Sequence, residues 1–411
     1  MEANWTCPFC ALLCDSFALE GGPEALALNG STCPRARAGL AAHARPEAPV
    51  AFIDGVAVEP AQAIAEAARR LARWRQPLFG GLGIDMAGAR ALFKLAARTG
   101  AICDHADGEP LAQGLRALQD RGQFHTTLAE IGARADVVVC VGTQATARYP
   151  EFFRRCGLDR ADGPCTRLVF LGAEPPEDVP GALAPVRIAG SGDLFADLQQ
   201  LAALLGPAPC HESDPELAGL ARMLGEARYA VLVWEPAMLR RHGALAAEML
   251  LRIVMALNRG TRAASFALGG SDGAATVQQV FTWLSGLPLR TRFGRAGFEH
   301  EPVRFAGEAL LADRAVDGLL WTWSFAPGRL PPATDLSRVV LGPPAMGSRL
   351  REGRVANQCV FVPVATPGVN AAGHLFRGDG VVVPLVAVRD DGVPALDRVV
   401  AELLVGLEEP E

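Results

Sequence analysis

The stretch Asp136-Val-Val-Val-Cys-Val141, followed by Gly142, gives the clearest indication of the fold. A short apolar run that is rich in β-branched residues and ends at a glycine is typical of a buried strand. Residues 229–234 repeat this pattern, and residues 244–257 have the length and apolar spacing of a buried helix. Strands buried on both faces occur in parallel sheets covered by helices, so these residues predict an α/β fold.

The same alternation of strand and helix continues along the chain from about residue 50. The patterns predict helices at residues 61–74 and 87–99, and strands at residues 77–80, 167–171, 318–323, 338–341 and 359–364. We therefore expect two αβα units with mostly parallel sheets, together with a small N-terminal unit over residues 1–50 that carries four of the ten cysteines. Ligands of such sheets bind beyond the carboxyl ends of the strands.

Composition excludes several classes of function. The chain has 411 residues, with 39 Lys and Arg against 45 Asp and Glu, and its net charge of −6 argues against non-specific binding to nucleic acid. No apolar run reaches the length of about 18 residues that a membrane span needs. The first residues lack the basic and apolar regions of a signal peptide, so we expect a cytoplasmic protein with no membrane partner. In the cytoplasm, clustered cysteines bind metals or take part in catalysis more often than they form disulfides.

Four cysteines form the sharpest local pattern. Cys7, Cys10 and Cys14 are spaced by three and four residues, and 18 residues separate Cys14 from Cys33. A [4Fe-4S] cluster needs four thiolates of this kind. Structural zinc usually takes its thiolates from two Cys-x-x-Cys pairs, and only one such pair is present here. The spacing therefore favours an iron–sulfur cluster, with zinc and four buried thiols without metal as the alternatives.

A glycine-rich segment, Gly80-Gly81-Leu82-Gly83, follows a predicted strand and precedes a predicted helix. Such a place suits a phosphate at a helix N-terminus. However, Met86 stands where the dinucleotide-binding fingerprint requires its third glycine. We therefore expect a tight turn in which no nucleotide binds.

Two polar stretches are weaker candidates. Residues 104–109 place three acids around His105, which is compatible with a site but fits a solvated loop better. Arg290, Arg292 and Arg295 fall in one loop-like stretch, where they would clamp an anion or simply form a surface patch.

Together with the four cysteines, several longer stretches resemble the B subunit of formylmethanofuran dehydrogenase, a member of the tungsten/molybdenum-pterin oxidoreductases. The resemblance implies that the two α/β units interleave: residues 51–133 form a first unit completed by residues 301–411, and residues 134–300 form the second. The resembling stretches are residues 7–14 with Cys33, 99–104 (TGAICD), 117–120 (ALQD), 134–139 (RADVVV), 293–297 (FGRAG), 363–365, 368–373 (GVNAAG) and 376–380 (FRGDG).

The departure from this family carries most of the functional information. In the tungsten enzymes a Cys-His-Gly stretch lies between two of the shared landmarks, and its cysteine binds the metal while its histidine lines the active site. Counting from either landmark places Pro110 at the metal-binding position and Leu111 at the histidine position. Arg295 falls where the family has an active-site arginine. The resemblance thus implies vestigial active-site positions, with no tungsten, molybdenum or pterin.

These replacements make the chain similar to the redox-inactive relatives, the B subunits of the formyltransferase/hydrolase complex of methylotrophic bacteria. That complex converts formyl-tetrahydromethanopterin into formate through formyl-methylofuran. The resemblance implies a non-catalytic scaffold whose partners are an amidohydrolase subunit, a formyltransferase subunit and a glutamate-synthase-like subunit. Hydrolysis needs no electron relay. The resemblance therefore also weakens the argument that the four N-terminal cysteines still hold an iron–sulfur cluster.

Two other functions stay open at this point. The first is an active pterin-dependent formylmethanofuran or formate dehydrogenase subunit, with Cys103, Asp107 or the pterin sulfurs alone holding the metal. The second is an unrelated iron–sulfur or zinc module joined to two α/β domains.

Overall fold

The structure, a computed structural model, describes residues 4–20, 26–43, 48–181, 183–207, 214–239, 241–353 and 357–408. Its helices are α1 (Pro34–Ala42), α2 (Pro60–Arg73), α3 (Met86–Thr99), α4 (Gly108–Arg121), α5 (Leu128–Arg134), α6 (Phe152–Arg155), α7 (Leu194–Leu204), α8 (Pro215–Glu226), α9 (Gly243–Leu257), α10 (Ala274–Ser285), α11 (Gly307–Ala312), α12 (Pro344–Glu352) and α13 (Leu396–Gly406).

The first nine strands are β1 (Ala18–Glu20), β2 (Ala27–Asn29), β3 (Ala51–Ile53), β4 (Val56–Val58), β5 (Pro77–Gly83), β6 (Ile102–Cys103), β7 (Val137–Val141), β8 (Arg167–Leu171) and β9 (Pro185–Ile188). The others are β10 (Ala230–Trp234), β11 (Ala263–Ala267), β12 (Thr291–Gly294), β13 (Gly297–His300), β14 (Gly318–Trp323), β15 (Arg338–Gly342), β16 (Cys359–Pro363), β17 (Gly373–Phe376) and β18 (Val382–Leu385). In the described part of the chain no helix is both long and apolar enough to cross a membrane.

The chain divides into two compact units. The larger consists of Met1–Gly108, Gly270–Arg377 and Val382–Glu411, and the smaller of Glu109–Gly269 and Gly378–Val381. The sequence placed the corresponding boundaries at residues 133 and 300. They lie earlier here because Ala117 of α4 joins the core of the smaller unit, whereas β12 pairs with β6 in the larger. The cysteine segment also falls within the larger unit, where the Trp5 indole N–H donates to the Gly368 carbonyl at 2.7 Å.

The larger unit is built on a nine-stranded sheet in the order β13-β12-β6-β5-β14-β15-β16-β3-β4. The central strands β6, β5, β14, β15 and β16 are parallel, and antiparallel strands complete both edges. On one face the buried apolar residues of α2, α3, α10 and α13 cover the sheet. The other face holds large aromatics, including Phe52, Trp321, Trp323 and Phe361. Because β6 and β14 flank β5 on opposite sides, the order reverses between β5 and β14.

The smaller unit is built on a wholly parallel sheet in the order β11-β10-β7-β8-β9. Its core joins the strands to α7, α8 and α9. The Asp136 carboxylate accepts the backbone N–H groups of Arg228 and Tyr229, each at 2.9 Å, and so ties the start of β7 to the start of β10. The order reverses between β7 and β10.

The predicted α/β fold with mostly parallel sheets is confirmed, and strands β7, β8, β10, β14, β15 and β16 lie where the apolar runs predicted them. The prediction for Gly80–Gly83 was wrong, because β5 continues through this segment to Gly83. Its glycines expose backbone over which the indole rings of Trp321 and Trp323 pack from β14. Because the segment is rich in glycine, its composition alone predicts a turn and does not show that two tryptophan rings cover a strand there.

Candidate functional site

The four N-terminal cysteines lie in one buried neighbourhood of the larger unit. The Cys7 N–H donates to the Cys14 carbonyl at 2.9 Å, which closes the first three cysteines into a loop. The β1–β2 hairpin then returns the chain, and Cys33 stands at the N-terminus of α1. All four thiols are buried. Charge on Cys10, Cys14 or Cys33 raises the pKa of Cys7, so the four side chains are within electrostatic reach of one another.

The protonation of these thiols depends on what they bind. Burial raises the pKa of Cys7 well above its usual value and that of Cys10 to about 11, although Arg35 acts in the opposite direction on Cys10. Without a cation these two thiols are therefore neutral at pH 7. Among the described residues, no three Cys, His, Asp or Glu side chains are grouped so that they could hold a metal ion. The four cysteines are thus neighbours rather than a closed ligand set.

Aromatic packing fixes the position of the cysteine loop. The Phe9 ring stacks on the His43 imidazole with centroids 6.0 Å apart. The His43 Nε2 lies 3.1 Å from the Phe325 carbonyl, and the Arg389 guanidinium donates to the His43 carbonyl. These contacts anchor the loop and α1 to the segments that follow β14 and β18.

Asp104 lies immediately beyond the carboxyl end of β6 and is 5% exposed. Its Oδ2 accepts the Gly307 N–H at 2.8 Å, and the Arg290 Nε lies 3.4 Å from its Oδ1. Burial raises the pKa of Asp104 to about 6 in spite of the Arg290 charge. The expectation of a solvated loop was wrong for Asp104 and His105, which are buried; the acids Asp107 and Glu109 are exposed.

His105 is buried as a neutral imidazole. Its Nδ1 accepts the backbone N–H of Asp107 at 2.9 Å, so the proton is on Nε2. Burial lowers the pKa of His105 to about 4, although the charge of Asp107 acts in the opposite direction. The imidazole centroid lies 5.6 Å from that of the Trp323 ring. This histidine is therefore a buried residue that is packed against Trp323.

Trp323 fills the point where the strand order of the larger sheet reverses. It pairs with Gly83 at the carboxyl ends of β14 and β5, the place at which open α/β sheets bind ligands. A Cβ on Gly83 would lie 2.5 Å from the Trp323 ring, which is 2% exposed. An indole in close contact with backbone therefore occupies this crevice. Sequence reasoning missed this, although a glycine-rich strand and the Trp321-Thr-Trp323 sequence were both visible.

Pro110 and Leu111 lie in the first turn of α4, and both are half-buried. Proline fits a first turn because an N–H there has no partner within the helix. Neither side chain offers a ligand atom or a titratable group. Cys103, proposed as a substitute ligand, contributes its fully buried side chain to the apolar core between the sheet and its helices.

The three arginines near residue 290 do not form one anion clamp. Arg290 is buried against Asp104, whereas Arg292 binds both oxygens of Glu299 at 2.7 and 2.6 Å. Arg295 is exposed in the turn of the β12–β13 hairpin. Because β12 runs antiparallel to β6, this turn lies at the amino-terminal edge of the parallel strands, away from Asp104 and His105.

The smaller unit carries a buried acid that sequence reasoning also missed. Glu235 and Thr143 follow β10 and β7, between which the strand order reverses, and the Thr143 hydroxyl donates to the Glu235 carboxylate. The Arg148 Nε lies 3.5 Å from the other carboxylate oxygen. Burial raises the pKa of Glu235, while Thr143 and Arg148 lower it. The signal was a lone acid that ends the apolar run of residues 229–234.

Two units with parallel sheets and a cysteine-rich N-terminus define an α/β protein of the class to which the B subunit of formylmethanofuran dehydrogenase belongs. No family model matches the chain. The B subunit of the formyltransferase/hydrolase complex Fhc of Methylorubrum extorquens is 30% identical over 338 residues, which cover 80% of this chain and 88% of the relative. The chain therefore belongs to the family of Fhc B subunits.

More distant relatives and a solved structure agree. The B subunit of a tungsten-containing formylmethanofuran dehydrogenase 2 from Methanocaldococcus jannaschii is 24% identical over 98% of this chain and 97% of that protein. A chain in the crystal structure of the formyltransferase/hydrolase complex FhcABCD from Methylorubrum extorquens, in complex with methylofuran, matches with a TM-score of 0.74 and 28% identity. That match covers 87% of this chain and 98% of the solved one.

The filled crevice makes a testable prediction. Replacing Gly83 with alanine is expected to lower the free energy of unfolding by about 1–3 kcal/mol, because the added methyl group overlaps the Trp323 ring. In a chain that already carries Trp323→Phe, Gly83→Ala should lower the free energy of unfolding by less, because the smaller phenyl ring leaves room for the added methyl group. Urea denaturation of the full chain measures both costs.

A matched control is Gly219→Ala, because a Cβ at Gly219 in α8 meets open space. This change should be neutral or stabilise the chain by about 0.5–1 kcal/mol. If Gly83→Ala cost the same with and without the Trp323→Phe change, the indole would not be what closes the crevice.

Proposed function

We propose that this chain is a non-catalytic structural subunit of a cytoplasmic formyltransferase/hydrolase complex, which turns formyl-tetrahydromethanopterin into formate through formyl-methylofuran. One observation carries the proposal: the first turn of α4 holds Pro110 and Leu111, which stand by residue count at the positions of the metal-binding cysteine and the active-site histidine. Tungsten or molybdenum would have no protein thiolate there. Leucine also cannot donate or accept a proton.

Residues of the larger unit support this proposal over an active dehydrogenase. Trp323 occupies the crevice between β5 and β14, and His105 is buried as a neutral ring. The two substitute ligands are otherwise engaged, since Cys103 packs in the apolar core and Asp107 pairs with Arg329 at 2.8 Å. A pterin-dependent dehydrogenase remains the second candidate function, but no side-chain arrangement among the described residues favours it.

Exposed apolar surface supports a role in assembly. Trp283, near the end of α10, is 62% exposed, and its neighbour Leu284 is also exposed. The Trp283 ring meets the Phe376 ring edge-on at 5.1 Å, and Val382, opposite Phe376 in the β17–β18 hairpin, is exposed as well. We call the exposed residues Trp283, Leu284 and Val382 the Trp283 patch, and the buried Phe376 ring supports it from below. Such a patch fits a hetero-oligomer better than a free monomer, with amidohydrolase, formyltransferase and glutamate-synthase-like subunits as the partners.

The cysteines fit a structural [4Fe-4S] cluster, with zinc or no metal as the alternatives. Cys7, Cys10, Cys14 and Cys33 supply the number of thiols that a cluster needs, and all four are buried in one neighbourhood, although they are not grouped as a closed ligand set. Bound iron would supply the positive charge that keeps buried thiolates ionised. The protein's own contribution is to join the Cys7–Cys14 loop to the start of α1, as a covalent cross-link would.

The assembly role predicts different effects for two substitutions in the complex. Trp283→Asp should weaken association of this chain with its partner subunits at least about tenfold, because it places a charge in an apolar contact. Leu111→Ala should leave formate production within about twofold of the unchanged complex, since Leu111 has no chemical role. Affinity measurements on the chain and a formate assay on the assembled complex test these two expectations.

Reduction of a viologen dye during turnover of the formyl substrate would contradict the proposal, because hydrolysis releases no electrons. Loss of formate production in a fully assembled Leu111→Ala complex would contradict it as well.

The cluster proposal predicts about four irons per chain after anaerobic purification of the complex. Cys33→Ser should remove them and lower the melting temperature, because the cross-link to α1 is lost. Cys165→Ser is the matched control, since Cys165 is a partly exposed thiol outside the four-cysteine neighbourhood, and it should keep the iron. Zinc in place of iron, or neither metal, would exclude the cluster.

A further inference from the structure

A groove of about 980 Å³ lies at the amino-terminal edge of the larger unit's sheet. Its walls are the end of α2 with residues 71–76, the end of α3 with residues 97–100, and the β12–β13 hairpin, and Leu407 completes the lining. This edge is opposite the one at which Asp104, His105 and Trp323 lie. The groove is therefore separate from the site described above.

The groove is strongly basic on an acidic chain. Five of its lining residues are arginines and only one, Glu299, is an acid, whereas the whole chain carries a net charge of −6. We define the arginine groove by these basic residues: Arg73, Arg75, Arg98, Arg292 and Arg295. Its charge is a local feature, because the composition of the chain predicts a slight excess of acids at any surface.

Two nearby acids, Glu299 and Asp317, are already engaged within the chain. Glu299 pairs with Arg292 through both carboxylate oxygens. Asp317, just outside the lining, accepts the backbone N–H groups of Arg75 and Gln76 at 2.7 and 3.0 Å. Among the described residues, no carboxylate forms an ion pair with Arg75, Arg98 or Arg295, so these three guanidinium groups of the groove have no ion-pair partner in the part of the chain that the structure describes.

A tryptophan stands between these charges. Trp74 lies between Arg73 and Arg75 in sequence, lines the groove and is half-buried. Its ring packs so closely on the backbone of Gly318 that a Cβ there would overlap the indole, which fixes the ring in place. Tryptophan and arginine are among the residues most enriched at the energetic centres of protein interfaces. The groove thus combines a rigid aromatic anchor with planar cations suited to carboxylates.

We propose that the arginine groove is the docking site for an acidic segment of a partner subunit, a stretch whose Asp and Glu carboxylates meet the guanidinium groups. Charge complementarity around an aromatic anchor carries this inference. It rests on the proposed role in a multi-subunit complex and adds the surface and chemistry of one contact. Opposite charges across such a contact steer encounter and set its salt dependence.

The test uses the full chain and its purified partner subunits. The triple variant Arg75→Gln, Arg98→Gln and Arg295→Gln should raise the Kd for the partner at least about tenfold at low salt and flatten its dependence on salt between about 50 and 200 mM. The matched control, Arg134→Gln, Arg228→Gln and Arg241→Gln, removes the same charge at side chains that are 69%, 85% and 81% exposed, and should leave both quantities unchanged.

Two results would overturn the docking inference while leaving the structural role intact: equal Kd values for the two triple variants, or inorganic triphosphate bound in the groove of the assembled complex. Triphosphate would identify a small-anion site instead of an occupied interface. Failure of the unchanged chain to associate with any of its partner subunits would instead overturn the proposed function itself.

Discussion

The contact between the Trp323 indole and the backbone of Gly83 is the constraint on which the larger unit depends. It lies where the strand order reverses, at the one edge of an open parallel sheet that normally receives a ligand. The Trp323 ring lies in close contact with the backbone of Gly83, and close packing of this kind resists any change in volume.

The polar residues next to Trp323 are buried as well. Asp104 and His105 end β6 in a buried environment, which raises the pKa of the acid to about 6 and lowers that of the histidine to about 4. Arg290 and the Gly307 N–H hold the Asp104 carboxylate, so its role is to fasten the β12 segment and α11 to β6. Next along the chain, Pro110 and Leu111 lie in the first turn of α4 and offer no reactive group.

Much of the architecture was predictable, because buried parallel strands have a distinctive composition. The run Val137–Val141 and the helix Gly243–Leu257 show this, and their bounds are within one residue of those expected. The site was less predictable where a side chain's meaning depends on a distant partner. The sequence predicted a turn at Gly83, but this residue lies in a strand against the Trp323 ring. It also predicted a solvated loop at Asp104, but this residue is buried against Arg290. The sequence resemblance implied that Arg295 stands at an active-site position, and that remains a prediction; antiparallel pairing of β12 places Arg295 at the edge opposite Asp104.

The most direct test of the central claim, that this chain has lost its redox centre, is the tungsten and molybdenum content of the anaerobically purified complex. Mass spectrometry of the metals would be referred to the number of copies of this chain, after the chain is separated from its partners. We predict neither metal in stoichiometric amount, because Pro110 and Leu111 supply no ligand and Trp323 fills the crevice. One tungsten or molybdenum per chain would contradict this claim and would mean that the metal is held by another protein ligand or by the pterin sulfurs alone.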